Sequence, residues 1–184
     1  ERLPALGGVC LHRGCIPSKT YLSIAETLHA ADAAKAMGVE FGKPKLKVDA
    51  LRKWKDQVVS KLAGGLDLMA KKHKVDRVKG TARFEDGKFV AIEGGDVPRI
   101  KFRRAIIATG SRSITLKGVQ IDSPRVLTSR TALQMEDIPK TLLVIGGGYI
   151  GLELGQVYAS FGSRVTVVEM LPQLMTGADR DLVR

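Results

Sequence analysis

The chain has 184 residues, 44% of them hydrophobic, and carries 30 Lys and Arg against 19 Asp and Glu, a formal charge of +11. That length suits one ordinary domain or parts of two, and no apolar run approaches the roughly 20 residues of a membrane-spanning helix. Two cysteines exclude a disulfide-framework scaffold; an aromatic content of 5% argues against a base-stacking nucleic-acid surface. The positive bias lies in residues 35–83, where 14 Lys and Arg meet 5 Asp and Glu, and side chains such as Lys53, Lys55, Lys71 and Lys72 read as a solvated helix face.

The first element holds both cysteines, in Cys10-Leu11-His12-Arg13-Gly14-Cys15, and runs straight into Ile16-Pro17-Ser18-Lys19. In an ideal helix, positions five apart stand roughly 8 Å from one another, beyond the reach of an unstrained disulfide. Pairing therefore needs distorted backbone, which Gly14 permits. A helix is expected over residues 16–37, with Pro17 in its first turn. A strained bridge is easily reduced, and a helix N-terminus favours a thiolate at Cys15. The pair reads as a redox-active disulfide seated at a helix start. Two alternatives stand beside it: a structural staple over a short loop, and a metal site from Cys10, His12 and Cys15, whose spacing is not a standard zinc pattern.

The run Gly7-Gly8-Val9-Cys10-Leu11-His12-Arg13-Gly14-Cys15-Ile16-Pro17-Ser18-Lys19 resembles the active-site signature of the flavin-dependent disulfide oxidoreductases. Its Ile-Pro-Ser-Lys ending is closer to the dihydrolipoamide dehydrogenases than to the glutathione reductases. His12-Arg13 stands where Asn-Val is more usual, and adds positive charge beside the thiols. The resemblance implies that Cys10 is the interchange thiol, Cys15 the thiol nearer the flavin, and Lys19 a positive charge approaching the flavin.

Further along, Asp49 is a plausible N-cap for a second helix. Its apolar stripe, Leu51, Trp54, Val58, Leu62, Leu66 and Met69, steps by three or four residues. Gly64-Gly65 interrupts the stripe, either as a bend, as a place for close backbone approach, or as a simple weak point. The period then becomes that of strands over residues 81–85, 88–92 and 100–104, with turns at Asp86-Gly87 and Gly94-Gly95, a small antiparallel meander. An apolar strand over residues 104–108 is expected to end in the turn Thr109-Gly110-Ser111. By resemblance, Thr109, Gly110 and Ser111 lie near the flavin nucleotide and Gly80 toward its adenosine end. Residues 112–140 read as a crossover, in which Ser129 caps a short helix through Met135 and Pro139 marks its end.

The last elements give the sharpest pattern. A buried strand over residues 141–145 leads into Gly146-Gly147-Gly148-Tyr149-Ile150-Gly151, a helix to Phe161 stopped by Gly162, and a second strand over residues 164–169. This is a dinucleotide fingerprint in its full strand, turn and helix context, with Gly155 one turn on. Gly146 permits the tight turn, Gly148 the approach of a pyrophosphate, and Gly151 close packing of helix on strand. Glu169, 18 positions after Gly151, suits an unphosphorylated ribose, so the expected dinucleotide is NAD rather than NADP. Glu153 resembles a glutamate near the nicotinamide path in the same enzymes; a solvated helix carboxylate is the competing reading.

The expected class is α/β, a fragment of a flavoprotein with two dinucleotide-binding domains (FAD and NAD). Residues 1–112 would be a portion of the FAD-binding domain, and residues 113–184 the crossover and first β-α-β half of the NAD-binding domain. Because the sequence opens on Glu1-Arg2-Leu3 and stops at Arg184 soon after one β-α-β unit, it reads as an internal fragment, inactive alone. The first FAD fingerprint is expected before Glu1. The rest of the NAD domain, and an interface domain bearing a His-Glu pair, are expected after Arg184. The resemblance implies a cytoplasmic, homodimeric enzyme that passes electrons from dihydrolipoamide through the cysteines and FAD to NAD. Its partner would be the lipoyl domain of a 2-oxo acid dehydrogenase complex; no metal, nucleic acid or membrane is expected. The alternatives are another flavin disulfide reductase, of mercuric or glutathione type, and a non-catalytic dinucleotide-binding module.

Overall fold

The computed structural model describes residues 5–114, 116, 118 and 121–183. The opening Glu1-Arg2-Leu3, the closing Arg184 and part of the crossover lie outside these.

Helix formation begins earlier than the sequence suggests. A short helix α1 (Gly8–Arg13) already contains Cys10, Gly14 breaks the chain, and α2 (Cys15–Ala33) starts on the second cysteine, followed by a 3-10 turn, Ala34–Met37. Gly14, at φ −148° and ψ −114°, supplies the backbone break between the two cysteines. A Cβ there would stand 3.2 Å from the Val9 carbonyl oxygen. Gly7, at φ +114°, enters α1 in a conformation that L side chains rarely adopt, and a Cβ on it would fall 2.3 Å from Leu11 Cδ2.

Helix α3 (Val48–Lys72) carries the anticipated stripe but is entered from Lys47, with no side-chain cap. Asp49 is inside the first turn, paired with Arg52, where a carboxylate meets the helix dipole instead of capping it. The stripe is covered at its N-terminal end by α2. Trp54, Leu62 and Met69 remain exposed. Gly64 and Gly65 sit within a continuous helix, with open space where a Cβ would go, so no backbone approaches them here.

Strands β1 (Thr81–Phe84), β2 (Phe89–Glu93) and β3 (Arg99–Lys101) form the expected antiparallel meander, with Thr81 opposite Glu93 and Phe89 opposite Lys101. The Asp86 carboxylate closes the first turn by accepting from the Lys88 and Phe89 amides at 2.7 and 2.8 Å. The apolar segment after β3 does not form the anticipated strand. No described residue pairs with it, and Ile106 is 94% exposed; a strand needs a neighbouring ladder for its backbone groups.

Helix α4 (Ser129–Ala132) is capped by Thr128 and not Ser129: the Thr128 and Thr131 hydroxyls each accept from the other residue's amide, a reciprocal capping box. Then β4 (Thr141–Ile145), α5 (Tyr149–Ser160) and β5 (Arg164–Val168) form a right-length β-α-β unit with β4 and β5 parallel, Thr141 opposite Arg164. Leu142, Val144, Val165 and Val167 are partly buried, whereas Leu143, Ile145 and Val168 on the other face are half or more exposed.

The buried core does not respect the boundary expected at residue 112. Tyr21 and Ala25 of α2 pack with Leu154, Val157 and Tyr158 of α5, with Phe161, and with Ala132, Leu133 and Met135. Tyr21 meets Phe161 edge to face at 6.2 Å, and the Tyr158 hydroxyl donates to the Ala132 carbonyl at 2.8 Å. Burial pushes the Tyr158 hydroxyl up to about 12, so this donor stays protonated at physiological pH. The redox-motif helix and the fingerprint helix are thus fastened together.

Candidate functional site

Cys10 and Cys15 lie on either side of the Gly14 break, both exposed and both free thiols. Hydrogen bonding to Cys15 keeps the proton on Cys10 and holds its thiol above the ordinary cysteine value, and loss of hydration adds to this. The influence on Cys10 thus comes from Cys15, across the Gly14 break. Cys15 occupies the first position of a 19-residue helix. Among the described residues no group of three or more His, Cys, Asp or Glu side chains is placed to hold a metal ion. His12 turns its Nε2 to the Leu6 carbonyl at 2.7 Å; a carbonyl only accepts, so Nε2 carries the hydrogen.

One turn into α2, Lys19 makes an ion pair with Glu153, one turn into α5. Ser18, buried, places its hydroxyl 3.2 Å from the other Glu153 oxygen and 3.2 Å from the Cys15 carbonyl. Glu153 is therefore not a solvated helix carboxylate: it joins the start of the redox helix to the start of the fingerprint helix. Ser18 is the member of this contact that sequence reasoning missed. Only its place beside Lys19 in the motif could have signalled it.

The fingerprint has the geometry that its glycines imply. Gly146 adopts φ +105° and donates to the Val168 carbonyl at 2.8 Å. Gly148 begins α5 with nothing within 4 Å of its Cβ position, leaving room for a pyrophosphate at the helix N-terminus. Tyr149 and Ile150 project outward, 67% and 45% exposed. At Gly151 a Cβ would lie 2.3 Å from the Gly146 carbonyl oxygen and 3.0 Å from Val144 Cγ1, so no larger residue fits between helix and strand.

Gly147 has a different task. It is buried, its amide donates to Glu169 Oε2 at 2.7 Å, and its carbonyl accepts from the Met175 amide at 2.8 Å. Both of its backbone groups serve the loop itself. Glu169 Oε1 accepts from the Leu171 amide at 2.9 Å, and the bonds from Leu171 and Gly147 hold this carboxyl below the ordinary carboxylate value. Glu169 is thus ionised and fixed at the fingerprint turn. Each oxygen still has a lone pair with which to accept from a ribose hydroxyl.

The remaining expected residues divide. Thr109, Gly110 and Ser111 are exposed, and the Cβ position of Gly110 is 3.2 Å from Val9 Cγ2, so this segment runs beside α1 and its cysteine. Gly80 is not brought to the thiols. It lies at the entrance to the meander, where a Cβ would strike Ile92 at 2.5 Å and the Glu93 carbonyl at 2.8 Å, a demand of packing in its own right.

The family model described as pyridine nucleotide-disulphide oxidoreductase matches residues 3–184. The chain belongs to this family. Among curated members it is similar to dihydrolipoyl dehydrogenase of Vibrio parahaemolyticus, 44% identical over the whole of this chain and 39% of the relative. Dihydrolipoyl dehydrogenase of Haemophilus influenzae is 45% identical over the same shares, and that of Geobacillus stearothermophilus 42% over 96% of this chain and 38% of the relative. Among solved structures, the Cu(II) complex of the HOCl-induced flavoprotein disulfide reductase RclA from Escherichia coli superposes with a TM-score of 0.77 at 26% identity, covering all of this chain and 38% of that one. The chain therefore spans about two fifths of the length of these family members. Membership agrees with the α/β architecture and small antiparallel sheet, and implies flavin and nicotinamide dinucleotides in general terms. No described helix is long and apolar enough to cross a membrane.

Proposed function

We propose that the full-length protein containing this chain is an NAD-dependent dihydrolipoyl dehydrogenase acting on dihydrolipoamide carried by the lipoyl domain of a 2-oxo acid dehydrogenase complex. The observation that carries this reading is the join between the two motifs. The Lys19–Glu153 pair and the shared core join the dithiol helix to the fingerprint helix, which supports an electron path from thiols to nicotinamide. The curated relatives named above support the choice of substrate.

In the oxidised enzyme Cys10 and Cys15 form a disulfide. A thiolate of dihydrolipoamide attacks the Cys10 sulfur, Cys10–Cys15 cleaves and Cys15 leaves as a thiolate; the second substrate thiolate then displaces Cys10, closing lipoamide and leaving the protein dithiol. The net reaction is dihydrolipoamide plus NAD⁺ giving lipoamide, NADH and a proton. FAD supplies the two-electron relay between dithiol and nicotinamide. The residues fit these groups. Exposed Cys15, Lys19 and Thr109 to Ser111 would face the flavin, residues 1–112 forming part of its domain. Gly146, Gly148, Tyr149, Ile150 and Gly151 would cradle the NAD pyrophosphate, and Glu169 the ribose. Lys19 stands one turn into α2, held there by Glu153.

Full-length enzyme should form NADH from dihydrolipoamide, with a higher kcat/KM for NAD than for NADP. Cys15→Ser should abolish this reaction, and Glu169→Ala should lower the NAD/NADP ratio by roughly one to two orders of magnitude through loss of a charged hydrogen bond. Reduction of other disulfides without NADH formation from dihydrolipoamide would assign the protein to a different reductase of the family.

A further inference from the structure

At the meeting of α1, α3 and α4 lies a cleft of about 160 Å³ whose lining includes His12, Arg13, Lys55, Arg130 and Gln134 and, among the described residues, no carboxylate. We propose that this cleft binds a compact dianion, a phosphate or dicarboxylate group.

Charge is the first reason. Arg13 and Arg130 have no ion-pair partner among the described residues, whereas Lys55 is paired with Asp56 on its own helix. A concave site lined by one sign of charge concentrates its field on whatever enters. An anion there meets two unpaired guanidinium groups, whose planar forks match the oxygens of phosphate and carboxylate. The Lys55 side chain, 12% exposed, adds a cation at the wall of the cleft. Gln134 offers a neutral donor.

Size is the second reason. The cleft falls below the roughly 300–1,000 Å³ of pockets for drug-sized ligands, so it suits a single anionic group and not a dinucleotide. Among the described residues its lining has no Phe, Tyr or Trp side chain on which a nucleic-acid base could stack. Position gives the consequence. His12 and Arg13 sit between the cysteines in sequence. A bound dianion would neutralise positive charge beside the sulfurs and disfavour the thiolate.

Only the effect on the thiols rests on the proposed redox function; binding itself does not. Full-length enzyme is titrated by calorimetry with inorganic phosphate, with malonate and with chloride, all at constant ionic strength. Saturable binding of phosphate or malonate, absent for chloride, is expected. It should weaken about tenfold or more in Arg13→Gln and in the exposed-site variant Arg130→Gln. Phosphate alone would assign the group as a phosphoryl, malonate alone as a dicarboxylate. Alkylation of the reduced dithiol should slow as the site fills. Absence of saturable binding by the wild type, equal binding of chloride, or unchanged affinity in both variants with unaltered Tm would overturn the proposal. None of these results depends on turnover, so the assignment to dihydrolipoamide stands or falls separately.

Discussion

At the scale of single residues, the chemistry turns on which sulfur keeps its proton. Cys10 bonds to Cys15 and holds its proton to a higher pH than a free thiol, while Cys15 begins a long helix. In the reduced enzyme, alkylation of Cys10 should therefore rise with pH only through a value above the roughly 8.5 of an ordinary cysteine, and should shift downward in Cys15→Ser. Mass spectrometry of the alkylated peptide reads this directly; a profile at the ordinary value in the wild type would show that the two sulfurs do not share a proton. Glu169 has the opposite sign. Its carboxyl is lowered by backbone amides, so its contribution to stability is complete above the ordinary carboxylate range and is lost as pH falls through the lowered folded value. The roles proposed for Cys10, Cys15 and Lys19 rest on one compact motif, whereas the Glu169 bond to Gly147 could not be read in advance, because it depends on how residues 169–175 fold back over the loop.

Among the elements, the β-α-β unit was the most legible, since a glycine pattern whose spacing is set by a phosphate and a helix–strand contact leaves few alternatives. Gly151 shows why: Gly151→Ala puts a methyl into the Gly146 carbonyl. The variant should cost about 1–3 kcal/mol of stability by overpacking and raise KM for NAD, while the dithiol still reduces with dihydrolipoamide. Equal KM in variant and wild type would mean that the turn can relax around the added carbon. Less legible were the ends of helices. Asp49 and Ser129 each looked like a cap, but the helices begin at Val48 and after Thr128, and a choice between neighbouring polar residues is decided by backbone geometry that composition does not carry. The segment after β3 failed for another reason. Its apolar residues specify a strand only together with a neighbour, and no described residue supplies one.

For the whole molecule, the decisive quantity is surface. The chain exposes 14428 Å², against about 8,700 Å² for a compact monomer of this length. The excess has an address: one face of the β4–β5 sheet, the apolar segment around Ile106, and the far half of α3. The core joins α2 to α5 across the boundary expected between the two dinucleotide-binding parts, a feature hidden from the sequence because it pairs residues more than a hundred positions apart. Residues 1–184 expressed alone should therefore bind a hydrophobic dye and melt without a sharp transition. A cooperative, monomeric melt with stoichiometric FAD would show that these faces are covered by the chain itself.

The central claim is that Cys10 and Cys15 close and open as a pair during turnover. Free thiols are counted in the denatured full-length enzyme before and after stoichiometric, anaerobic addition of dihydrolipoamide, with Cys10 and Cys15 identified by mass. The expected result is that both are blocked before addition and both are free after it. Two free thiols at these positions in the oxidised enzyme would contradict the assignment.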